Sequence, residues 1–166
     1  RRADALDAFE KRLAYAQAHL DEPAICDRPP LRLLRPSLSE LSAADMESRR
    51  SLDAFIAAMP DTRISFARAL APKSEKHFRL CADEAACAAW ALPLEHTAGL
   101  PSARCVRVIH RFACQPWDDE AVPEILACAQ KAGHAVRVDG ELFGLHLASE
   151  TSEGKVSLYA AVYLPI

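Results

Sequence analysis

Apolar residues alternate from residue 139 to the end of the chain, and this period of two predicts a closing β-hairpin. The large apolar residues are Phe143, Leu145 and Leu147 on the first strand, and every second residue from Val156 to Leu164 on the second. We expect them to share the core face. The opposite face carries a mixed set: Leu142, Gly144, His146, Ser157, Tyr159, Ala161 and Tyr163. Such a face lines a ligand cleft or is the half-exposed side of an antiparallel sheet, and periodicity leaves both readings open.

A strand and a helix precede the hairpin. Residues 100–112 lead through a loop into a strand, and residues 119–132 have the pattern of a helix that ends at Gly133. The second half of the chain is therefore predicted as β-α-β-β.

The first half repeats this order. An extended segment over residues 24–36 is followed by a helix that stops at Pro60 and by strands over residues 63–70 and 77–82. Residues 83–95 are assigned to no element. The correspondence predicts an internal duplication, with repeat one over about residues 24–92 and repeat two over about 100–166.

The helix of the first half has a start signal and an apolar set. Ser42 has the character of an N-cap, with Asp45 in the capping-box position. The residues expected to face the core are Met46, Leu52, Phe55, Ile56 and Met59.

An apolar stripe at intervals of three and four residues predicts a helix over residues 1–22 that ends at Glu22-Pro23. The stripe consists of Leu6, Phe9, Leu13, Ala16 and Leu20. Its spacing is that of a short coiled-coil seam, although a helix docked on its own domain would show the same stripe. We predict a coiled-coil helix through which two copies form a homodimer, followed by one domain over residues 23–166.

Composition limits the possible functions. The chain has 166 residues, of which 51% are hydrophobic and 26% charged, as expected of one packed domain. A net charge of −3 offers no basic surface for nucleic acid. No apolar run approaches the roughly 20 residues that span a bilayer, so we predict a cytoplasmic protein without membrane contact.

Six cysteines are scattered without a C-x-x-C pair, which favours reduced thiols. A metal site built from Cys81 and Cys87, or from His110 and Cys114, would lack further ligands at suitable spacing. We therefore predict neither a metal nor a cofactor.

Two segments carry a resemblance to a known family. They are Leu100-Pro101-Ser102-Ala103-Arg104-Cys105 and the final Tyr159-Ala160-Ala161-Val162-Tyr163-Leu164-Pro165-Ile166. With the intervening order of elements, they resemble the second repeat of the GyrI-like (gyrase-inhibitor-like) effector-binding domain. The resemblance implies an α+β fold of two β-α-β-β repeats about a pseudo-twofold axis, with helices backing antiparallel sheets and a ligand cleft between the repeats.

A coiled-coil helix before such a domain is the arrangement of MerR-type transcription regulators. The resemblance thus implies the sensor half of a regulator, with DNA contacted only through an N-terminal helix-turn-helix domain absent from this sequence. Relatives that bind lipophilic cations carry two cleft carboxylates, and the matching positions here are Ala161 and Gly144. Cys105 replaces a family tyrosine, which would widen the cleft. A bulky, neutral, hydrophobic aromatic ligand is therefore expected, bound by Tyr159, Tyr163, Ala161, His146, Gly144, Leu142, Cys105 and Trp117.

Two alternatives stay open. One is a hydrolase in which Cys105 is the nucleophile, His146 the base and Glu141 or Glu95 the orienting group. The other is a stand-alone protein-binding module of gyrase-inhibitor type. The sequence has no nucleophile elbow and no glycine-rich phosphate loop, so ligand sensing without catalysis is favoured.

Overall fold

The computed structural model describes residues 2–40, 45–113 and 120–166. Within them the helices are α1 Arg2–Ala18, α2 Met46–Ala57, α3 Glu84–Trp90 and α4 Ala121–Lys131. The strands are β1 Ala24–Arg28, β2 Leu31–Leu34, β3 Arg63–Ala69, β4 His77–Ala82, β5 Thr97–Leu100, β6 Ala103–Ala113, β7 Glu141–Ser152 and β8 Lys155–Pro165.

The strands form one antiparallel sheet in the order β1-β6-β8-β7-β3-β4-β2-β5. The two halves of this order are equivalent, because β1-β6-β8-β7 from one edge corresponds to β5-β2-β4-β3 from the other. They meet where β3 pairs with β7, with Phe66 directly opposite Gly144. The predicted α+β fold of duplicated repeats about a pseudo-twofold axis is confirmed, and it is the architecture that the GyrI-like resemblance implies. Each half has one strand more than predicted, β1 in the first and β5 in the second.

Local sequence explains where several elements begin and end. Asp45 caps α2 by accepting a hydrogen bond from the Ser48 backbone N–H at 2.7 Å, whereas the predicted cap Ser42 lies outside the described residues. Glu153 and Gly154 both have positive φ and form the two-residue turn between β7 and β8.

Helices α2 and α4 cover one face of the sheet. Ile125 of α4 is 1% exposed and packs with Val108 and Val162, and Phe55 of α2 is fully buried in a second cluster with Leu34 and Leu80. Complete burial of such a side chain stabilises the fold by about 1.5–3 kcal/mol.

The expected core face of α2 is partly wrong. Phe55 is buried and Leu52 partly buried, but Met46, Ile56 and Met59 are exposed. The buried positions are instead Ser51, Phe55 and Ala58, one i, i+4, i+7 row on which two residues are small enough to let the helix approach the sheet.

The coiled coil predicted for the first helix is not confirmed. Leu13, Ala16 and Leu20 pack against the face of the sheet opposite to α2 and α4, whereas Leu6 is exposed. This is the docked arrangement that the apolar stripe also allowed, and the homodimer stays a prediction.

Candidate functional site

The face of the sheet turned away from α2 and α4, here called the inner face, carries an apolar cluster. The cluster contains Cys26, Leu31, Leu33, Ala67, Cys81, Leu100, Cys105, Phe143, Leu145, Leu147, Ala161 and Tyr163. These residues come from all eight strands. Because only two residues connect β1 to β2, and only two connect β5 to β6, the opposite ends of the strand order lie close together and the sheet is curled. The inner face is therefore the interior of a half-barrel, and the interior of a β-barrel is a common position for a small ligand.

Aromatic and cationic groups adjoin on the inner face. Tyr163 lies directly opposite Phe143 on β7 and Arg107 on β6. The Arg28 guanidinium carbon lies 5.3 Å from the centroid of the Phe143 ring, and one Arg28 nitrogen donates to the Pro101 carbonyl. Burial raises the pKa of Tyr163, and the positive charges of Arg107 and Arg63 oppose that rise.

The C-terminal half of α1 covers one end of the inner face. Ala16 is fully buried against Ile109 and Tyr159. Glu150 of β7 accepts hydrogen bonds from the Gln17 amide at 3.1 Å and from the Tyr159 hydroxyl. The pKa of Tyr159 is raised, first by burial and then by this bond to a carboxylate. The helix is thus held by apolar packing and one polar network.

The structure brings four predicted ligand residues to the inner face: Cys105, Ala161 and Tyr163 in the apolar cluster, and Tyr159 beneath α1. Trp117 lies outside the described residues.

The prediction for β7 is wrong at two positions. Leu142 belongs to the cluster beneath α4, and Gly144 lies opposite Val162 of the same cluster. Phe143 and Leu145, expected on the core face with Val162, instead lie opposite Tyr163 and Ala161 on the inner face. The alternation could not show which residues of β7 face α4 and which face inward, because both faces of this strand are buried and apolar.

His146 is also displaced from the inner face. It lies opposite Ala160, which belongs to the cluster beneath α4, and its Nε2 lies 2.8 Å from the Ser149 hydroxyl oxygen. A β-bulge follows it, between His146 and Ala148. Burial lowers the pKa of His146, and the positive charges of Arg12 on α1 and Arg63 on β3 lower it further.

We expect His146 to make the protein less stable as the solution becomes acidic. Because its folded-state pKa lies below the unfolded value near 6.5, the unfolded chain binds more protons as pH falls through that value. Stability should therefore decrease as the pH falls from about 7 through the unfolded pKa, by at most about 1.4 kcal/mol per pH unit from this one group. Urea unfolding of His146→Gln should show a shallower pH dependence than wild type. The exposed His77→Gln serves as control, and equal slopes for wild type and His146→Gln would contradict the assignment.

The geometry of a Cys-His hydrolase is not assembled. Cys105 lies on the inner face and donates a hydrogen bond to the Ala103 carbonyl, whereas His146 lies on the other side of the sheet. Burial raises the pKa of the Cys105 thiol, which opposes formation of a nucleophilic thiolate. Glu95 and Glu141 are exposed.

Two adjoining cavities lie beside the inner face, at the junction of α1, α3 and the start of β3. One, of about 390 Å³, is lined by Arg12, Asp61, Arg63, Asp83, Ala85, Ala86 and Ala89. The other, of about 560 Å³, shares Asp61 and Ala89 and adds Asp4, Ala5, Met59, Pro60 and Trp90. Sequence reasoning missed this region, since its residues come from three separate segments and α3 was left unassigned.

In the described part of the chain, no three His, Cys, Asp or Glu residues are grouped so as to hold a metal ion. No described helix combines the length and the apolar character needed to cross a bilayer.

Comparison with known proteins gives structural similarities only. No protein-family model matches the sequence, and no curated protein matches it. A Staphylococcus aureus MU50 protein, provisionally described as a bacterial transcription regulation protein, shares 9% identity over 87% of this chain and 99% of its own, with a TM-score of 0.49. The EcmrR C-terminal domain shares 11% identity over 87% of this chain and 96% of its own, at a TM-score of 0.48. SAV2435 bound to tetraphenylphosphonium shares 10% identity over 86% of this chain and 93% of its own, with a TM-score of 0.45. With identities this low, the similarity concerns the backbone and carries nothing about ligands.

Proposed function

We propose that this chain is the small-molecule-sensing domain of a cytoplasmic transcription regulator, and that it binds a bulky, neutral, aromatic ligand on the inner face. The observation that carries the proposal is the enclosed face itself, where Phe143, Tyr159 and Tyr163 lie within the curled sheet. Aromatic side chains offer large contact areas and favourable stacking geometry to a planar ligand. The resemblance of the last strand to the GyrI-like family points to the same use.

The charges on this face favour a neutral ligand over a cation. Arg28 lies beside Phe143 and Arg107 lies opposite Tyr163, so both bring positive charge to this face. The Glu150 carboxylate accepts hydrogen bonds from Gln17 and Tyr159. A buried cation without a counter-charge is strongly disfavoured.

Helix α1 supplies a route for the signal. Because its C-terminal half covers Ile109 and Tyr159, a ligand at that end of the face would compete with Ala16 and Leu13 for the same surface. Ligand binding would then shift the helix, and a regulator could read the position of that helix.

Nile red, a neutral dye whose emission depends on polarity, tests the proposal. We expect saturable binding with blue-shifted emission, and an affinity about tenfold lower in Tyr163→Ala because one of the aromatic contacts is removed. Tetraphenylphosphonium should compete poorly.

Val156→Ala, at an exposed position on the same strand, is the matched control and should bind Nile red as wild type does. Saturable binding with equal affinity in Tyr163→Ala and wild type would place the ligand away from the inner face and refute the proposed site.

A further inference from the structure

The cavity between α1, β3 and α3 brings two arginines together with two aspartates, Asp61 and Asp83. Arg12 and Arg63 both line it, and neither forms a salt bridge with a carboxylate of the described residues. Among the described residues the Nε of Arg12 is buried without a hydrogen-bond partner, as are the Nε atoms of Arg28 and Arg107 outside this cavity. A buried donor left in this state is rare in native proteins and calls for an explanation, such as a bound ion or ligand.

Each of the two carboxylates in the same cavity has one oxygen in a hydrogen bond with a neutral donor. One Asp61 oxygen accepts the Trp90 indole N–H at 2.8 Å, and one Asp83 oxygen accepts the Ala86 backbone N–H at 2.8 Å. Asp61 lies close enough to favour the charge of Arg12, but burial and the like charge of Arg63 outweigh it, so the pKa of Arg12 is lowered. The field of the arginine pair also reaches His146 on β7, whose pKa both arginines lower.

An apolar space continues from the arginine pair. Ala85, Ala86 and Ala89 form a wall of small side chains along α3, and the second cavity beyond Ala89 is bounded by Met59, Pro60 and Trp90. Together the two cavities have the size of common small-molecule sites. Both arginines line the first cavity together with Asp61 and Asp83, whereas the second cavity is lined mainly by apolar side chains, with Asp4 and Asp61 at its border.

We propose that this cavity is a second binding site, distinct from the inner face, for an amphipathic carboxylate. Its carboxylate lies between the guanidinium groups of Arg12 and Arg63, and its apolar body extends along the α3 alanines toward Trp90. The planar guanidinium fork matches a carboxylate through paired N–H···O bonds, and the ligand charge relieves the repulsion between the two arginines. Because Arg12 belongs to α1, a bound ligand also ties α1 to the domain. This proposal does not depend on the inner face binding a ligand.

Three probes with one ring system and different charges test the site, all in the Tyr163→Ala background so that binding of pyrene at the inner face is weakened: pyrenebutyrate, pyrenebutanol and pyrenebutylammonium. By titration calorimetry we expect pyrenebutyrate to bind at least about tenfold more tightly than the alcohol, and the ammonium most weakly. Arg12→Gln and Arg63→Gln should each weaken pyrenebutyrate about tenfold while leaving the alcohol within about threefold. Arg104→Gln is the matched control, because Arg104 is exposed and paired with Asp27 on the distant β1 edge.

A further variant fixes the location. Ala89→Trp replaces an exposed alanine at the junction of the two cavities and should abolish binding of pyrenebutyrate at this site. It also keeps the test informative if Arg12→Gln disturbs the docking of α1. Equal affinity for carboxylate and alcohol, or tight pyrenebutyrate binding retained in both Arg63→Gln and Ala89→Trp, overturns the proposal. Neither result bears on Nile red at Tyr163, so the two proposals fail independently.

Discussion

Gly144→Ala is expected to lower the free energy of unfolding by about 3 kcal/mol, a fall in melting temperature of roughly 6–12 °C for a chain of this size. A Cβ built on Gly144 would lie 1.9 Å from Cε1 and 2.0 Å from Cζ of Phe66, far inside van der Waals contact. Phe66 cannot move aside freely, because its ring is buried and packs edge-on against Phe112 at 5.9 Å between centroids. The methyl group therefore forces the ring or the β3-β7 pairing to shift.

A double-mutant cycle separates this clash from a backbone effect. In the Phe66→Leu background the added methyl should cost at least about 1 kcal/mol less, because the smaller side chain leaves space at the centre of the sheet. Gly99→Ala is the matched control: Gly99 lies on the exposed edge strand β5, its Cβ would meet Arg32 only at 3.7 Å, and the change should be within about 0.5 kcal/mol. An unchanged melting temperature for Gly144→Ala would be incompatible with the contact between Phe66 and Gly144.

Gly144 also illustrates which features of the fold can be predicted from the sequence pattern. The hairpin, its turn at Gly154 and the duplication follow from local signals, namely alternation and a residue type that favours positive φ. The face on which Gly144 lies does not follow from them. Residues 142–145 are buried on both sides of β7, so a shift by one residue would leave an equally apolar pattern. The pairing of Phe143 with Tyr163 is decided across strands, where single-sequence periodicity carries no information.

The residues of the candidate sites also differ in whether the sequence could predict them. Tyr159, Ala161 and Tyr163 were found because they recur with period two on one strand whose other face is the larger core. Arg12 and Arg63 were not found, since each reads as an ordinary surface charge in its own segment. Only the docking of α1 beside β3 brings them together. The sequence does contain one indication of this site. The apolar stripe of α1 allows the helix to dock on its own domain, and docking places the charged residues beside the stripe, such as Arg12, against that domain.

Docking of α1 is itself testable through Ala16. Ala16→Glu is expected to lower the free energy of unfolding by about 3 kcal/mol, because Ala16 is fully buried against Ile109 and Tyr159, and a carboxylate there would be desolvated without a partner. The domain can escape this cost by releasing the C-terminal half of the helix. A released helix of 17 residues is marginally stable in water, so its amides should exchange with solvent far faster than in wild type. Hydrogen exchange resolved along the chain measures this directly.

Leu6→Ser distinguishes docking from the coiled coil. Leu6 belongs to the same apolar stripe but is 59% exposed in the docked arrangement, so its replacement should change stability by less than about 0.5 kcal/mol. If α1 paired with a second copy of the chain through the whole stripe, Leu6→Ser and Ala16→Glu would both dissociate a dimer, which sedimentation velocity detects. Docking therefore predicts a large effect at Ala16 and almost none at Leu6. Ala16→Glu with unchanged exchange along α1 would show that the helix does not rest on Ile109 and Tyr159, and it would return the stripe to the coiled-coil interpretation.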